Sequence, residues 1–158
     1  AGDSAGATLA VMTLLALRDR HDAARCFRGA LLLAGVYDFG QTPSQRAATD
    51  AHFLSPERLR AMPAVAFPGV GGEALRDPAR SPLYARLEGL PPALFSVGTG
   101  DSVLDDSLFM AQRWRAAGNA AQLEVYPEAP HIFMALPTAM AAEARRRVVR
   151  FVSECLSH

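Results

Sequence analysis

Apolar residues recur with two different periods along the first part of the chain. The stretch Ala5–Arg18 is rich in Ala, Leu and Met. Within it Leu9, Met12 and Leu15 are spaced at helical intervals, which predicts a largely buried helix. Ala30–Val36 is a continuous apolar run bounded by turn residues, a pattern typical of a strand buried on both faces of a parallel sheet.

Two more strands and two more helices are predicted in the second half of the chain. Ala93–Val97 is an apolar pentapeptide, and apolar and polar residues alternate over Gln122–Tyr126, so both stretches have strand patterns. Leu104–Ala117 begins with acidic residues and ends at a Gly-Asn pair, which are helix start and stop signals. Thr138–Leu156 is the last predicted helix. This order of elements predicts an open α/β fold with a mainly parallel sheet.

The connection from Gln41 to Pro91 has a different character, because prolines interrupt short helical pieces such as Pro56–Arg60. We expect it to be an insertion that lies over a site. No internal repeat accompanies it.

The amino-acid composition argues against several classes of binding partner and against a membrane-spanning protein. The 158 residues are 50% hydrophobic and 20% charged, which is ordinary for one globular domain. Sixteen basic residues, all Arg and dispersed along the chain, balance sixteen acidic ones, so binding of nucleic acid or an anionic membrane surface is not expected. Two cysteines favour a reducing compartment, the cytoplasm. The apolar runs are far shorter than the roughly 20 residues that span a bilayer, so no membrane segment is expected.

A motif for nucleophilic catalysis stands at the start of the chain. Gly2-Asp3-Ser4-Ala5-Gly6 matches G-x-S-x-G, the elbow that exposes a serine hydroxyl between a strand and a helix. We expect a side chain at Gly2 or Gly6 to collide with neighbouring backbone, and the Ala5 N–H to face an oxyanion beside Ser4. The alternative is a Gly-rich loop before a helix, since the motif arises by chance in about one in twenty chains of this length.

Two further residues follow predicted strands, at the edge where open α/β sheets build their sites. Asp101 comes just after Ala93–Val97 and is placed to orient a histidine, although a helix cap is the alternative. His131 follows Gln122–Tyr126 and is the candidate general base. Asp105 and Asp106 compete with Asp101 for the orienting role, but both fall in a predicted first helical turn, where a cap or surface role is simpler.

The other histidines are His21, His52 and His158. None has a ligand-like spacing to another, so we assign them to solvent or local structure and expect no metal site.

These residues also bring in a family resemblance. The elbow, the segment Gly98–Asp106 and Tyr126-Pro127 before His131 are similar to motifs of bacterial hormone-sensitive-lipase-like esterases. The same is true of Ser81–Ala85 and of Leu90–Ala93, to which it leads. The resemblance implies the α/β-hydrolase fold, with 1–158 as the C-terminal part of a single domain that holds the last three strands of the sheet. It implies that Ser4 is the nucleophile, Asp101 the triad acid and His131 the base, and that 41–80 contributes to a lid.

The sequence departs from this family in two places. The family usually has His-Gly-Phe where this chain has His131-Ile132-Phe133. The family's His-Gly-Gly-Gly segment, which completes the oxyanion hole, lies upstream of the elbow and is not in this sequence. We therefore expect a chain cut from a longer protein, without the strand before Ser4. Ala30–Val36 would then be an apolar edge strand that promotes homo-oligomers or aggregation, and the chain alone would be a poor esterase.

The function predicted is that of a serine carboxylesterase acting on small-molecule esters of short to medium acyl chain, through an acyl-enzyme and without a cofactor. Amidase, lactonase and acyltransferase activities remain open because they share the acyl-enzyme. One alternative is a non-catalytic binding relative, like the plant gibberellin receptors that resemble this family, although His131 argues against it. Another is an inactive fragment of an esterase.

Overall fold

Four parallel strands form the centre of the structure, a computed structural model that describes residues 1–49 and 54–157. The strands lie in the order β1 (Gly2–Asp3), β2 (Ala30–Leu33), β3 (Ala93–Gly98), β4 (Ala121–Tyr126). The α-helices are α1 (Ala5–His21), α2 (Pro43–Ala47), α3 (Pro56–Ala66), α4 (Leu104–Ala116) and α5 (Ala139–Leu156). Short 3-10 helices cover Ala24–Cys26, Gly72–Arg76, Pro82–Tyr84 and Phe133–Ala135. This arrangement confirms the predicted α/β class.

The sheet has one strand more than the sequence predicted. β1 pairs with β2 in parallel, with Gly2 opposite Leu32 and Asp3 opposite Leu33. The expectation that the strand before Ser4 is missing is therefore wrong, and this strand is two residues long. β2 also pairs with β3 along its length, so it lies inside the sheet and is not the edge strand that we expected.

The second strand is shorter than predicted. It ends at Leu33 because Ala34 turns into the left-handed region, with φ of 45°. Residues 34–39 are still buried, which explains why an apolar run alone overestimated the strand.

The main core lies between the sheet, α1 and α4. Trp114 and Phe95 are fully buried there. Their rings pack edge to face, with the ring centroids 5.7 Å apart. The Trp114 indole N–H donates to the Pro91 carbonyl oxygen over 3.0 Å. The buried face of α1 is formed by Ala7, Thr8, Val11, Leu14 and Leu15. Leu9, which we had placed on that face, is 63% exposed, because it lies on the opposite side of the helix.

The chain between β2 and β3 contains α2 and α3. The short helix predicted from Pro56 continues to Ala66, and Ser55 caps it by accepting the Arg58 N–H over 3.3 Å. A second, smaller core joins Leu59 of this helix to Ala34, Val36, Leu54 and Val103. Through that core α3 packs on the segments that follow β2 and β3. Among the described residues, no helix combines the length and apolarity needed to cross a membrane.

Candidate active site

Ser4 occupies a sharp turn between β1 and α1. Its backbone has φ of 54° and ψ of −122°, a conformation that is costly for any residue with a side chain. The turn is held in place by the Ser4 N–H, which donates to the Leu33 carbonyl oxygen of β2 over 2.8 Å. As a result the serine side chain stands at the carboxyl edge of the sheet instead of entering the helix.

The two glycines of the elbow differ in the space that the surrounding atoms leave for a side chain. A Cβ added to Gly2 would lie 2.1 Å from the Gly6 carbonyl oxygen and 2.5 Å from the Ala7 nitrogen, so the first turn of α1 leaves no room for one. The same atom added to Gly6 would meet nothing within 4 Å. The predicted collision is therefore confirmed at Gly2. At Gly6 the prediction is wrong, because no atom of the described residues lies within 4 Å of the added Cβ.

His131 links the serine to a buried carboxylate. Its Nε2 lies 2.8 Å from the Ser4 Oγ, and its Nδ1 lies 2.9 Å and 3.1 Å from the two carboxylate oxygens of Asp101. Because an ionised carboxylate can only accept, Nδ1 donates to Asp101, which leaves Nε2 free to accept the Ser4 hydroxyl proton. Asp101 and His131 are 4% and 5% exposed, so bulk water competes little for these bonds.

The alternative role of Asp101 as a helix cap is also met in part. Its Oδ1 accepts the Val103 N–H over 3.0 Å, just before α4 begins at Leu104. The carboxylate thus receives one bond from the start of α4 and others from the imidazole, which fixes its orientation toward His131.

The loops that bear Asp101 and His131 touch each other backbone to backbone. A Cβ on Gly98 would lie only 1.8 Å from the Ala129 carbonyl oxygen, and one on Gly100 would lie 3.1 Å from the Glu128 carbonyl oxygen. Thr99 adds a direct bond, since its Oγ1 accepts the Glu128 N–H over 2.7 Å. The position of His131 relative to Asp101 therefore depends on small residues at the end of β3 and just beyond it, whose close contacts the sequence did not predict.

Ala5 is the first residue of α1, so its N–H has no acceptor within the helix. It directly follows Ser4 and lies at the end of the helix dipole that attracts negative charge. This is the placement expected of an oxyanion-hole donor.

Asp106 has neither the helix-cap role nor the surface role predicted for it, since its partners lie outside α4. It is fully buried, and burial raises its pKa from 3.8 to about 6, against the opposing effect of the hydrogen bonds that it accepts. It accepts bonds from Gln45, Tyr37, Asp38 and Thr42. Asp105 is half-buried and contacts Ser44. Of the three candidate carboxylates, Asp101 is therefore the one that is hydrogen-bonded to the imidazole.

Ile132 follows the histidine with a left-handed backbone, φ of 52°. That conformation is strained for a β-branched residue and free of strain for glycine. The glycine that similar esterases have at this position therefore has a conformational reason, and this chain tolerates an isoleucine there.

Of the remaining histidines, the structure describes only His21. His21 is exposed at the end of α1, whereas His52 and His158 lie outside the described residues. Within 1–49 and 54–157, no group of three or more His, Cys, Asp or Glu side chains could hold a metal ion.

Comparisons with known proteins agree on the fold. Residues 1–135 match the family defined by the alpha/beta hydrolase fold. An acetyl-hydrolase of Streptomyces hygroscopicus is 36% identical over 137 residues, which cover 84% of this chain and 44% of that relative. An esterase of Acinetobacter venetianus is 32% identical over 132 residues, covering 79% of this chain and 39% of the relative. The solved structure of EstE7, a hormone-sensitive-lipase homologue from a metagenome library, superposes with a TM-score of 0.84 at 27% identity, covering 98% of this chain and 53% of that one.

The chain thus spans about two fifths of the length of these two relatives and about half of EstE7. The matched part includes the turn at Ser4 and the loops of Asp101 and His131, since the family match runs from residue 1 to residue 135.

Proposed function

The chain belongs to the α/β-hydrolase family, and on that premise we propose that its protein is a serine carboxylic ester hydrolase acting on short- to medium-chain esters. The observation that supports this most is the continuous hydrogen-bonded chain from the Ser4 hydroxyl through His131 to Asp101. The relatives named acetyl-hydrolase and esterase are consistent with the same reaction class. The predicted resemblance to hormone-sensitive-lipase-like esterases is confirmed.

In this proposal the Ser4 Oγ attacks the ester carbonyl carbon while His131 Nε2 takes the hydroxyl proton. The negative charge that develops on the carbonyl oxygen is stabilised by the Ala5 N–H and by the dipole of α1. The C–O bond then breaks, and His131 returns the proton to the departing alcohol oxygen. In the second half of the reaction, His131 Nε2 takes a proton from a water molecule whose oxygen attacks the acyl carbon. The bond from that carbon to the Ser4 Oγ then breaks, and the same nitrogen returns the proton to Oγ as the carboxylic acid leaves. Asp101 stays ionised throughout and holds the imidazole.

Residues 1–158 are, in this proposal, the C-terminal part of a single catalytic domain, and 41–80 forms a lid over the acyl-binding pocket. The packing of α3 on Val103 and Ala34 supports the lid assignment, because these residues directly follow the strands next to the proposed triad.

A binding function without catalysis is the second candidate, and the hydrogen bond between Ser4 and His131 argues against it. Binding a ligand without catalysis does not require a serine in strained backbone. Nor does it require a hydrogen bond between the serine hydroxyl and an imidazole. The two candidates make opposite predictions for covalent labelling.

The experiment treats the intact protein with an organophosphate probe and with p-nitrophenyl butyrate. We expect a stoichiometric adduct on Ser4, and a loss in turnover on the order of 10⁴ for Asp101→Asn, because the imidazole loses its orienting acceptor. Asp19→Asn, an exposed charge change in α1, is the matched control and should leave turnover unchanged. Absence of an adduct on Ser4 in folded protein would contradict the proposal and favour a binding function.

A further inference from the structure

The carboxylate of Asp106 is buried at the start of α4 without a cationic partner among its hydrogen-bond donors. Its Oδ1 accepts the backbone N–H groups of Tyr37 and Asp38 over 2.7 Å and 2.9 Å. Its Oδ2 accepts the Thr42 hydroxyl over 2.8 Å and the Gln45 side-chain amide over 2.7 Å. Four neutral donors thus converge on one charge, and all four belong to the stretch of chain that follows β2.

A second contact joins the same two elements. The Ser44 N–H donates to an Asp105 carboxylate oxygen over 2.8 Å, and the Ser44 hydroxyl accepts the Asp105 N–H over 3.0 Å. Each side chain therefore satisfies an unpaired N–H at the start of the other's helix, as in a capping box shared between α2 and α4. We call these five residues, Thr42, Ser44, Gln45, Asp105 and Asp106, the α2–α4 clamp.

The clamp stands between the proposed lid and the proposed triad. On one side it fixes α2, where the 41–80 segment begins. On the other side it fixes the first turn of α4, which directly follows Asp101 and its bond to Val103. Neither acidic residue of the clamp touches His131, so any effect on the reaction must come through the placement of these segments.

Stability alone does not explain a charge at this position. Removing a carboxylate from water is unfavourable, and the raised pKa of Asp106 reflects that cost. A neutral side chain could join the two segments without this desolvation cost. The ionised group differs from a neutral one in that it accepts all four bonds and donates none, so it defines a single arrangement of the donors around it.

We propose that Asp106 is a positioning residue that fixes the start of the 41–80 segment against α4 and thereby maintains the ester-binding pocket beside Ser4. This inference rests on the proposed esterase function. Because Asp106 lies away from the imidazole, its loss should weaken ester binding while leaving the chemistry at Ser4 nearly intact.

The test compares Asp106→Asn and Thr42→Val in the intact protein. The Asn side-chain amide would place a donor opposite the Gln45 amide, and Thr42→Val removes one of the four donors with little change in shape. For p-nitrophenyl butyrate we expect KM to rise about ten-fold in Asp106→Asn and less in Thr42→Val, with kcat within about three-fold of the parent. Hydrogen exchange at the backbone amides of residues 44–49 should become faster, while the amides of β3 stay protected.

Thr138→Val is the matched control, because this hydroxyl also makes one bond, accepting the Ala141 N–H over 3.1 Å at the start of α5. It should lower stability without raising KM. A fall in kcat at unchanged KM in Asp106→Asn would overturn the proposal, since the carboxylate would then act on the triad. Unchanged KM and unchanged exchange would overturn it as well.

Failure of the esterase proposal gives a different result, namely a parent protein that neither hydrolyses the ester nor is labelled at Ser4. In that case exchange at residues 44–49 still decides whether Asp106 fixes the segment: faster exchange supports the positioning role, and unchanged exchange refutes it.

Discussion

A single methyl group added at Gly98 should have a large effect on the rate of the proposed reaction. Its absent side chain would point at the Ala129 carbonyl group, with the added Cβ 1.8 Å from the oxygen and 2.5 Å from the carbon. Real Cβ contacts do not fall below 3.0 Å. Gly98→Ala must therefore push the two loops apart by about 1.2 Å, and neither contact is the flexible end of a side chain that could rotate away.

The displaced carbonyl belongs to the residue two positions before His131, so the imidazole moves relative to Asp101 and Ser4. A misplacement of about 1 Å costs on the order of 10² in rate. We expect kcat/KM for p-nitrophenyl butyrate to fall at least that far in Gly98→Ala. Gly100→Ala, whose Cβ would lie 3.1 Å from the Glu128 carbonyl oxygen, should give a smaller loss.

Gly71→Ala is the control for this series. Its φ of −151° suits any residue, and an added Cβ meets nothing within 4 Å. Near-UV circular dichroism and urea denaturation verify that each variant is folded before rates are compared. Full activity in a folded Gly98→Ala protein would refute the argument that close contact between these loops positions the histidine.

Three other predictions concern stability. The pKa of Asp106 in the folded chain, about 6, lies above its ordinary value of 3.8, so the stability from this group is present below about pH 4 and is lost as pH rises through about 6. The free energy of unfolding of the parent, relative to Asp106→Asn, should thus fall by about 2 kcal/mol between pH 4 and pH 7 in urea titrations; a constant difference would contradict it. Ile132→Gly should be more stable than Ile132→Ala by about 1 kcal/mol, because the left-handed backbone penalises a Cβ; equal midpoints would mean that the backbone relaxes. Trp114→Phe should lose about 1–3 kcal/mol by leaving the Pro91 carbonyl oxygen unpaired, with kcat unchanged; a large fall in kcat would show coupling to the site.

The sequence predicted the α/β class because each long element has a periodic pattern and a recognisable end. The predicted Leu104–Ala117 differs from α4 by one residue, since acidic residues and a Gly-Asn pair mark its limits. Thr138–Leu156 differs from α5 only in that Thr138 is its cap. Gly2–Asp3 escaped prediction because two residues are too few to show an alternating pattern, and only pairing with β2 makes them a strand.

The candidate site was predicted from position along strands, and the structure places Ser4 and Asp101 within hydrogen-bonding distance of the two ring nitrogens of His131. Asp106 was misjudged because its place in a first helical turn favoured a surface role. The helical spacing of Asp106, Met110 and Trp114 did contain the signal, since these residues share one face and all three are buried. The contact between Gly98 and Ala129 joins segments 31 positions apart, so no local pattern could have revealed it.

The hydrogen bond between Ser4 and His131 has a consequence for the order of events during folding. It joins residues 127 positions apart in sequence, one beside β1 and the other after β4, the two outer strands of the sheet. The helices can form from local contacts. The bond between Ser4 and His131 instead requires that residues 127 positions apart have already been brought together, at a cost in chain entropy. Ser4 and His131 meet only after all four strands have found their neighbours. Recovery of reactivity at Ser4 during refolding should therefore lag behind the recovery of helical circular dichroism and report completion of the entire sheet.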